Sequence, residues 1–558
     1  MIMVADGFIF LRRLFNILRL FGSIFLKRSY SVESGGVKED IILTNPIRLK
    51  FFFEKAGGVF LKFGQALALR NDILPLPYIK EFFLLDDKAP AVLFSEMQFI
   101  LAEELGRNPS NFFSKFYEEP IASSPISQVY LAELKDGSRV AVKIQRPKIK
   151  EKFEIDFSVI IFLAGVLDFF RIFSRVQMRE LVSDFILWMR SDLDFTKEAK
   201  NAEVLFHHAK NHPESMVPEQ YLKFTTPKVL IQEFIENGIL ASSLLDISLS
   251  KEVSEKELLI RRKINIDGLA LYLIRDLMRQ YFIDGFFHSN PYPSNIIFTP
   301  IQSFGQDDDF SLRADNHNGK VVYLDHSFTD ADHLFVSDKN NKQDRIYLMK
   351  FLYGVCKKDF SLAASSLLEL GKQFDSDYYR VYEKIFKKIK ELMARDLADD
   401  FEKIFSAWYE SLETHSLNGG KSVAPYLFEA INKAEDYGVY FGKEALLFLR
   451  TLSAIETIAL QLSDKFNIIE GIDLFFKRYS LDEAIRIIQT EDHFNDSGRK
   501  LESPSEIGWE LFREIVSDEK EKRLILREKI VELILVYADK YDEVKELVKK
   551  YKITRLKD

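Results

Sequence analysis

Three short segments carry residue types able to handle a phosphorylated ligand. Val140-Ala141-Val142-Lys143 reads as a β-strand. Alternate side chains of a strand share a face, so Ala141 and Lys143 point one way and Val140 and Val142 the other. A lysine so placed can pair with phosphate oxygens, and the small alanine beside it leaves room for a flat heterocycle. His288-Ser289-Asn290-Pro291-Tyr292-Pro293-Ser294-Asn295 sets two carboxamides, Asn290 and Asn295, five positions apart. Tyr323-Leu324-Asp325 ends an apolar run on a carboxylate, a hard oxygen ligand of the kind Mg²⁺ takes. Each segment alone has an ordinary explanation. A lysine at a strand edge is usually solvated, and an aspartate after a strand usually serves a turn or a helix cap.

The order of the surrounding elements reverses that weighing. Gln128–Glu133 and Arg139–Gln145 are two β-type runs flanking the turn Lys135-Asp136-Gly137-Ser138, a hairpin pattern. Residues 150–212 read as helix, with 157–173 apolar enough to be a buried one. Lys228–Ile235 is a third strand, and Ile264–Gly285 a long amphipathic helix. Short strands at Ile296–Thr299 and Val321–Leu324 flank an Asp- and Asn-rich insert, Gln302–Gly319. A hairpin with an inward lysine, a helix with an acid, a strand, a long helix, an Asn-rich loop and a strand ending in Asp make up the plan of a protein kinase. In that plan the residue at 290 is an Asp that accepts a proton, and the Asn five positions on ligates Mg²⁺. His288 stands where that loop carries a structural histidine. The expected fold class is α+β, a two-lobed protein-kinase-like fold with a helical N-terminal extension and extra C-terminal helices.

Further motifs narrow the assignment. Lys62-Phe63-Gly64-Gln65 is followed by Arg70-Asn71-Asp72 and Leu74-Pro75. Pro120–Val129 (PIASSPISQV) is a loop of small residues before the hairpin strand. Lys143-Ile144-Gln145-Arg146-Pro147 closes the second strand, and Asp192-Leu193-Asp194 precedes Glu198. Asp284-Gly285-Phe286-Phe287-His288 leads into the Asn-rich loop. In this order, over residues 45–335 and more loosely to 480, the chain resembles the UbiB/AarF family of atypical kinase-like proteins. The resemblance implies ATP or ADP with Mg²⁺ between two lobes. It implies nucleotide contacts at Ala122, Ser123, Ser124, Lys143, Asp192, Asp194, Glu233 and Ile235, and metal ligands at Asn295 and Asp325. Lys143, Glu198, Lys62, Gln65 and position 290 would form the catalytic set, with an ion pair between Lys143 and Glu198. Which of Asp192, Asp194 and Glu198 the lysines choose is left open. The extension carrying Lys62 and Gln65 would fold over the place where a protein kinase takes its peptide. Such proteins act as ATPases or unorthodox kinases, linked to membranes and to ubiquinone or other isoprenoid lipid metabolism. The partners implied are a nucleotide, a membrane lipid or isoprenoid quinone precursor, and a lipid-biosynthesis complex.

Several positions depart from the family pattern. Asn290 replaces the Asp, and an amide takes up no proton near neutral pH, which removes general-base catalysis typically worth ~10²–10⁴-fold. Ser294 and Ser327 replace glycines, His326 replaces Phe or Cys, and Asp192 replaces Glu. Ser123, Ser124 and Pro125 alter the nucleotide loop, where Pro125 removes a backbone N–H. Lys143, Glu198, Asn295 and Asp325 keep their types. A slow ATPase or atypical kinase (a transferase) and a pseudokinase scaffold switched by nucleotide are therefore the readings to separate. A tethered helical protein without nucleotide is disfavoured by the retained groups.

Bulk features set the frame. The chain has 558 residues, 47% of them hydrophobic and 29% charged, with a net charge of −8. It is globular and shows no basic excess for nucleic acid. The fifty phenylalanines read as core filling. One cysteine, Cys356, excludes an internal disulfide framework and a Cys-based zinc site. His207, His208 and His212 lack metal spacing and read as helix surface. Residues 7–27 form an amphipathic helix with Arg12, Asn16, Arg19, Ser23 and Lys27 on one face and Phe8, Leu11, Phe15, Leu18, Phe21 and Phe25 around the rest. That is the pattern of a helix lying in a membrane interface, or of one docked on the protein's own core. No C-terminal stretch reads as long and apolar enough to cross a membrane. The expected location is cytoplasmic, peripheral on the inner face of a membrane. The expected segments are 1–28, an interfacial helix; a polar linker over Ser29–Asp40; 45–118, the helical extension; 119–240, the N-lobe; 241–490, the C-lobe; and 505–558, a C-terminal helical piece after a polar boundary at 494–507.

Overall fold

The structure is a computed structural model. It describes the chain outside residues 1, 27–28, 35–36, 43–44, 71–73, 86–88, 107–108, 171–177, 246–258, 260–263, 301–318, 327–338, 372–375, 414–421, 438, 440, 491–533 and 551–558. Lys27, Asn71, Asp72, Ser327, nearly all of the insert at 302–319 and the polar boundary at 494–507 lie outside the described residues. Two compact units divide the chain: Met1–Gln280, Phe286–Ala331 and Arg450–Gly471 in the first, and Tyr281–Gly285, Asp332–Leu449 and Ile472–Asp558 in the second.

The first unit opens with helix α1 (Ile2–Phe25), strands β1 (Ser29–Ser34) and β2 (Val37–Ile42), and helices α2 (Asn45–Ala56), α3 (Gly58–Ala68), α4 (Leu76–Phe82) and α5 (Phe94–Leu105). The expected polar linker is thus an antiparallel hairpin, with Ser34 paired to Val37. Helix α1 docks on the protein's own core by one side, burying Ile17 and Ile24, while Phe8, Leu11, Phe15 and Leu18 stay exposed. Arg13 fixes it there: Nε donates to Asp156 Oδ1 at 2.6 Å and Nη2 to the Ala56 carbonyl at 3.1 Å. Phenylalanines crowd this region, with Phe52, Phe53, Phe60, Phe63, Phe82, Phe157 and Phe185 in one core cluster.

A four-stranded antiparallel sheet follows, in the order β3 (Phe113–Ser123), β4 (Ser127–Leu134), β5 (Arg139–Gln145) and β7 (Val229–Glu233). Tyr130, Val140, Val142, Ile144, Val229 and Ile231 bury one face of it against Met97 and Leu101 of α5. Strand β3 was not foreseen, because its register shifts at Phe113/Lys115, Phe116/Pro120 and Pro120/Ala122 break the alternation. Between β5 and β7 run α6 (Ile149–Phe169), α7 (Met178–Asp192), α8 (Phe195–Ala209) and β6 (Ser215–Met216). Helix α6 is only partly buried, since Ile161, Phe162, Val166, Phe169 and Phe170 at and beyond its C-terminal half are exposed.

Strand β8 (Ile239–Leu240) and helix α9 (Ala241–Leu245) precede α10 (Ile266–Met278), whose first turn Asn265 caps through the amides of Asp267 and Gly268. Strands β9 (Ile296–Pro300) and β10 (Gly319–Tyr323) complete a second sheet in the order β6-β10-β9-β8.

The second unit is helical among its described residues: α11 (Lys339–Lys357), α12 (Phe360–Leu370), α13 (Ser376–Glu413), α14 (Ala424–Asp436), then α15 (Lys443–Leu462) and α16 (Ile468–Arg478), whose residues fall in both ranges, α17 (Leu481–Thr490) and α18 (Asp542–Lys550). Asp396 of α13 accepts from Tyr537 Oη, Lys540 Nζ and Tyr541 Oη at 3.0, 2.7 and 2.7 Å, docking the C-terminal helical residues. Contrary to the sequence reading, Glu444–Leu462 is long and apolar enough to cross a membrane by length and composition, although 72% of it is buried inside the protein. An extended apolar run serves equally as a core helix.

Candidate nucleotide and metal site

Lys143 sits mid-strand on β5, opposite Val129 of β4 and Leu230 of β7. Its Nζ donates to both carboxylate oxygens of Glu198, at 3.0 and 2.8 Å. Glu198 lies in the first turn of α8, which Asp194 caps by accepting from Thr196 N at 3.1 Å and from its hydroxyl at 2.7 Å. The backbone of α8 thereby turns toward the strand at the position where its acid meets the lysine. The Phe195 ring lies 4.8 Å from Nζ and walls that side.

Two further carboxylates join the pair. One oxygen each of Asp192, Glu198 and Asp325 lie within 4.8 Å of one another. Asp192 and Glu198 are each 4% exposed. Burial opposes the charge on Lys143, but Glu198, Asp325 and Asp192 outweigh it and hold the ammonium protonated. Burial also presses the Glu198 carboxyl upward; Lys143 opposes the shift and the Asp325 and Asp192 carboxylates add to it. Asp194 stays outside this cluster and serves as a helix cap.

Asp325 follows β10 with a left-handed backbone, φ 57°, a conformation Asp tolerates better than most residues. The loop of Asn290 to Asn295 is closed by its own bonds. Tyr292 N donates to Asn290 O at 2.8 Å, Asn295 N to Tyr292 O at 2.8 Å, and Asn295 Nδ2 to Asn290 O at 3.3 Å. Leu324 N donates to Asn295 O at 2.8 Å, which sets Asn295 beside the residue preceding Asp325. His288 Nε2 lies 2.9 Å from Leu324 O and 3.1 Å from Asp325 O and so carries its proton toward them. Burial lowers the affinity of that ring for a second proton. The buried His326 ring is pushed down to about 3 by desolvation and by His288. Its backbone carbonyl accepts from Asn201 Nδ2 of α8 at 2.9 Å, tying the segment after β10 to the helix of Glu198.

Lys62 and Gln65 of α3 line one small cavity with Trp188, Asn290, Ser294 and Asn295, of ≈ 10 Å³, room for about one water. Gly64 between them lets α3 pack closely on Phe53 and Leu85, since a Cβ there would lie 2.8 Å from both side chains. Tyr292 Oη bridges the same interface, donating toward Phe82 O at 2.8 Å and Leu85 O at 3.0 Å. Gln65 is 6% exposed, and among the described residues its Nε2 has no hydrogen-bond partner.

The small-residue loop is turned in on itself. Ser124 N donates to Ser127 O at 2.8 Å, while Ser124 Oγ accepts from Ile126 N at 3.3 Å and Ser127 N at 3.1 Å. Arg146 staples the loop from outside, with Nε donating to Ser124 O at 2.6 Å and Nη2 to Ser123 Oγ at 2.7 Å and Pro90 O at 2.9 Å. Ala122 and Ser123 end β3, paired with Val129 and Gln128. Glu233 ends β7, where its Oε2 accepts from Glu219 N at 3.3 Å, and Ile235 is half-buried just beyond it. Arg146 was visible in the sequence only as part of a motif, without a role.

One buried residue went unread. Asp276 of α10 is 1% exposed and accepts from Tyr272, Arg279, Gln280, Tyr323 and Ser215. Gln280 Oε1 in turn accepts from His288 N at 3.0 Å, so the network reaches both the Asn-rich loop and β10. An Asp inside an apolar helical stripe was the available signal.

The ABC1 atypical kinase-like domain family matches residues 84–367, just over half of the chain. A probable protein kinase UbiB from Pseudomonas fluorescens is 26% identical over 360 residues, covering 63% of this chain and 61% of that protein. The Arabidopsis thaliana protein ACTIVITY OF BC1 COMPLEX KINASE 8, chloroplastic, is 27% identical over 352 residues, covering 62% and 41%. The match thus spans less than two thirds of either relative. The solved complex of Rv3197 with erythromycin from Mycobacterium tuberculosis aligns with a TM-score of 0.42 at 19% identity, over 76% of this chain and 94% of that one. The ordered motifs, the kinase-like α+β fold and the family match agree, and the chain belongs to the UbiB/AarF family of ABC1 atypical kinase-like proteins.

Proposed function

We propose that this chain binds ADP or ATP with Mg²⁺ at the Lys143–Glu198–Asp325 cluster and acts as a slow, membrane-associated atypical kinase or ATPase. The carrying observation is the convergence of three carboxylates, Asp192, Glu198 and Asp325, on one half-buried lysine. Fully ionised, such a cluster holds more negative than positive charge, and buried unbalanced charge is costly without a counter-cation. Oxygen ligands in that state suit Mg²⁺. Asn295 and Asp325 would hold the ion, which when bound screens the charge of the phosphate oxygens. Lys143, kept protonated by its acidic neighbours, would pair with the phosphates, and Glu198 fixes its direction. Gln65 Nε2 offers a buried N–H to an oxygen acceptor on the side of Asn290.

The small cavity at Asn290 bears on the acceptor. Its ≈ 10 Å³ leaves no place for a peptide segment, which supports an ATPase or a small acceptor over a protein kinase. Asn290 itself favours a second reading, a pseudokinase whose nucleotide state switches its hold on a lipid or a biosynthetic complex. Membership of the UbiB/AarF family supports a role in ubiquinone or other isoprenoid lipid metabolism, with a membrane lipid or quinone precursor as partner. We infer a peripheral place on the cytoplasmic face of a membrane, from the exposed apolar side chains of α1.

Calorimetric titration with ADP and ATP, with and without Mg²⁺, tests the site. Mg-dependent binding is expected, lost in Asp325→Ala and weakened in Lys143→Ala. Folded protein that binds neither nucleotide removes the reading. Steady phosphate release separates the enzyme from the scaffold.

The inward loop gives a sharper test. Removing the Ser124 hydroxyl frees the amides of Ile126 and Ser127 for phosphate oxygens. At about 0.5–1.5 kcal/mol per net hydrogen bond, Ser124→Ala should tighten nucleotide binding by roughly two- to tenfold. A loss of affinity would instead mean that the Ser124 hydroxyl touches the nucleotide itself.

A further inference from the structure

Helices α1 and α6 run antiparallel. Arg13 meets Asp156 in the first half of α6, and the Phe10 ring meets Phe162, in its second half, at 6.1 Å edge-on. The N-terminal end of α1 therefore lies beside the C-terminal end of α6. Both ends bear large apolar side chains in the open: Phe8 is 68% exposed and Leu11 62%, while Phe169 is 82% exposed and Phe170 67%. Phe162, itself 48% exposed, joins the two sets through Phe10. An apolar surface of this kind on a globular chain marks an interaction site.

Charge indicates what covers it. Arg12 on α1, one residue after Leu11, and Arg179 at the start of α7 are exposed, and Arg179 reaches back over Gly165 of α6. Asp168, near the C-terminal end of α6, is engaged by the amides of Met178 and Arg179 at 2.7 and 2.9 Å. Aromatic side chains beside exposed arginines suit an anionic lipid interface, where rings enter the acyl boundary and guanidinium groups meet headgroup phosphates. We propose that the paired ends of α1 and α6, led by Phe169 and Phe170, form the membrane-inserting surface of this protein, with an anionic bilayer as occupant. This rests on the membrane part of the reading above and adds to it a second helix, from inside the kinase-like region, as the principal contact.

The test uses the full chain and vesicles of phosphatidylcholine with or without phosphatidylglycerol. Cys356, the one cysteine of the sequence, is buried, so Phe169→Cys can be labelled selectively with an environment-sensitive fluorophore. Anionic vesicles should bind the protein more tightly than neutral ones and shift the label's emission to the blue. The double variant F169D/F170D, altering two exposed positions, should weaken vesicle partitioning by roughly tenfold or more and leave Mg-nucleotide binding unchanged. Vesicle binding with an aqueous label and an inert double variant would overturn this surface and leave the membrane reading standing. No vesicle binding at all would overturn both. Concentration-dependent self-association abolished by F169D/F170D, without vesicle binding, would assign the surface to a second copy and overturn the lipid proposal.

Discussion

Asn290→Asp is expected to raise the rate of ATP turnover by roughly 10²–10⁴-fold, the range that a positioned general base contributes. The geometry favours so large a response to one atom pair. Asn290 is 8% exposed, and its carbonyl already accepts from Tyr292 N and Asn295 Nδ2. Asp has the shape of Asn, so the backbone and the loop can remain as they are. Lys62 lines the same small cavity, and an ammonium there favours the ionised, proton-accepting form of a carboxylate. Because that cavity holds about one water, the gain should appear as phosphate release. Steady-state phosphate release by wild type and variant decides it. A rise in kcat with an unchanged KM for ATP marks a recovered base, and an unchanged rate removes position 290 from the chemistry.

Legibility followed the physics of each element. The β4–β5 hairpin and β7 were readable because alternation and an Asp-Gly turn act within a few residues, and Lys143 came with its strand. The Lys143–Glu198 pair was legible only through a family resemblance, since α8 lies 55 positions along the chain from β5 and no local pattern sets that distance. Strand β3 hid behind three register shifts. The β1–β2 hairpin hid behind its polarity. Asp194 looked equivalent to Asp192 in sequence, yet one caps α8 and the other points into the carboxylate cluster, a difference that depends on where α7 ends. The inward turn of the Ser123–Ser127 loop depends on rotamers of Ser124 and Arg146, which spacing does not encode. Helix α6 was read as buried from its composition, and only its neighbours decide which of its apolar side chains face solvent.

The second large effect is expected at Asp276, and its origin is the buried charge. Desolvation alone would raise this carboxyl, but the Arg279 guanidinium and the hydrogen bonds of Tyr323 and Gln280 hold it down to about 2. Relative to the ordinary value of 3.8, a depression of that size corresponds to roughly 2 kcal/mol of stability. The sign follows from linkage: the contribution is complete above the unfolded value and is lost as pH falls from about 4 through about 2. Asp276→Ala does more than remove it, because Arg279, 5% exposed, is left without the carboxylate it bonds at 2.8 Å. Breaking a buried pair from one side costs about 3–5 kcal/mol. Tyr323→Phe removes one bond to the same carboxylate and should cost roughly 1.5–3 kcal/mol. These losses would reach the candidate site, since Tyr323 lies two residues before Asp325 and Gln280 joins Asp276 to His288 N. Urea unfolding midpoints of the three proteins should therefore fall in the order wild type, Tyr323→Phe, Asp276→Ala, with Mg-nucleotide affinity falling in step. Equal midpoints would mean that Arg279 is neutralised without Asp276, and that α10 anchors neither the Asn-rich loop nor the strand that delivers Asp325.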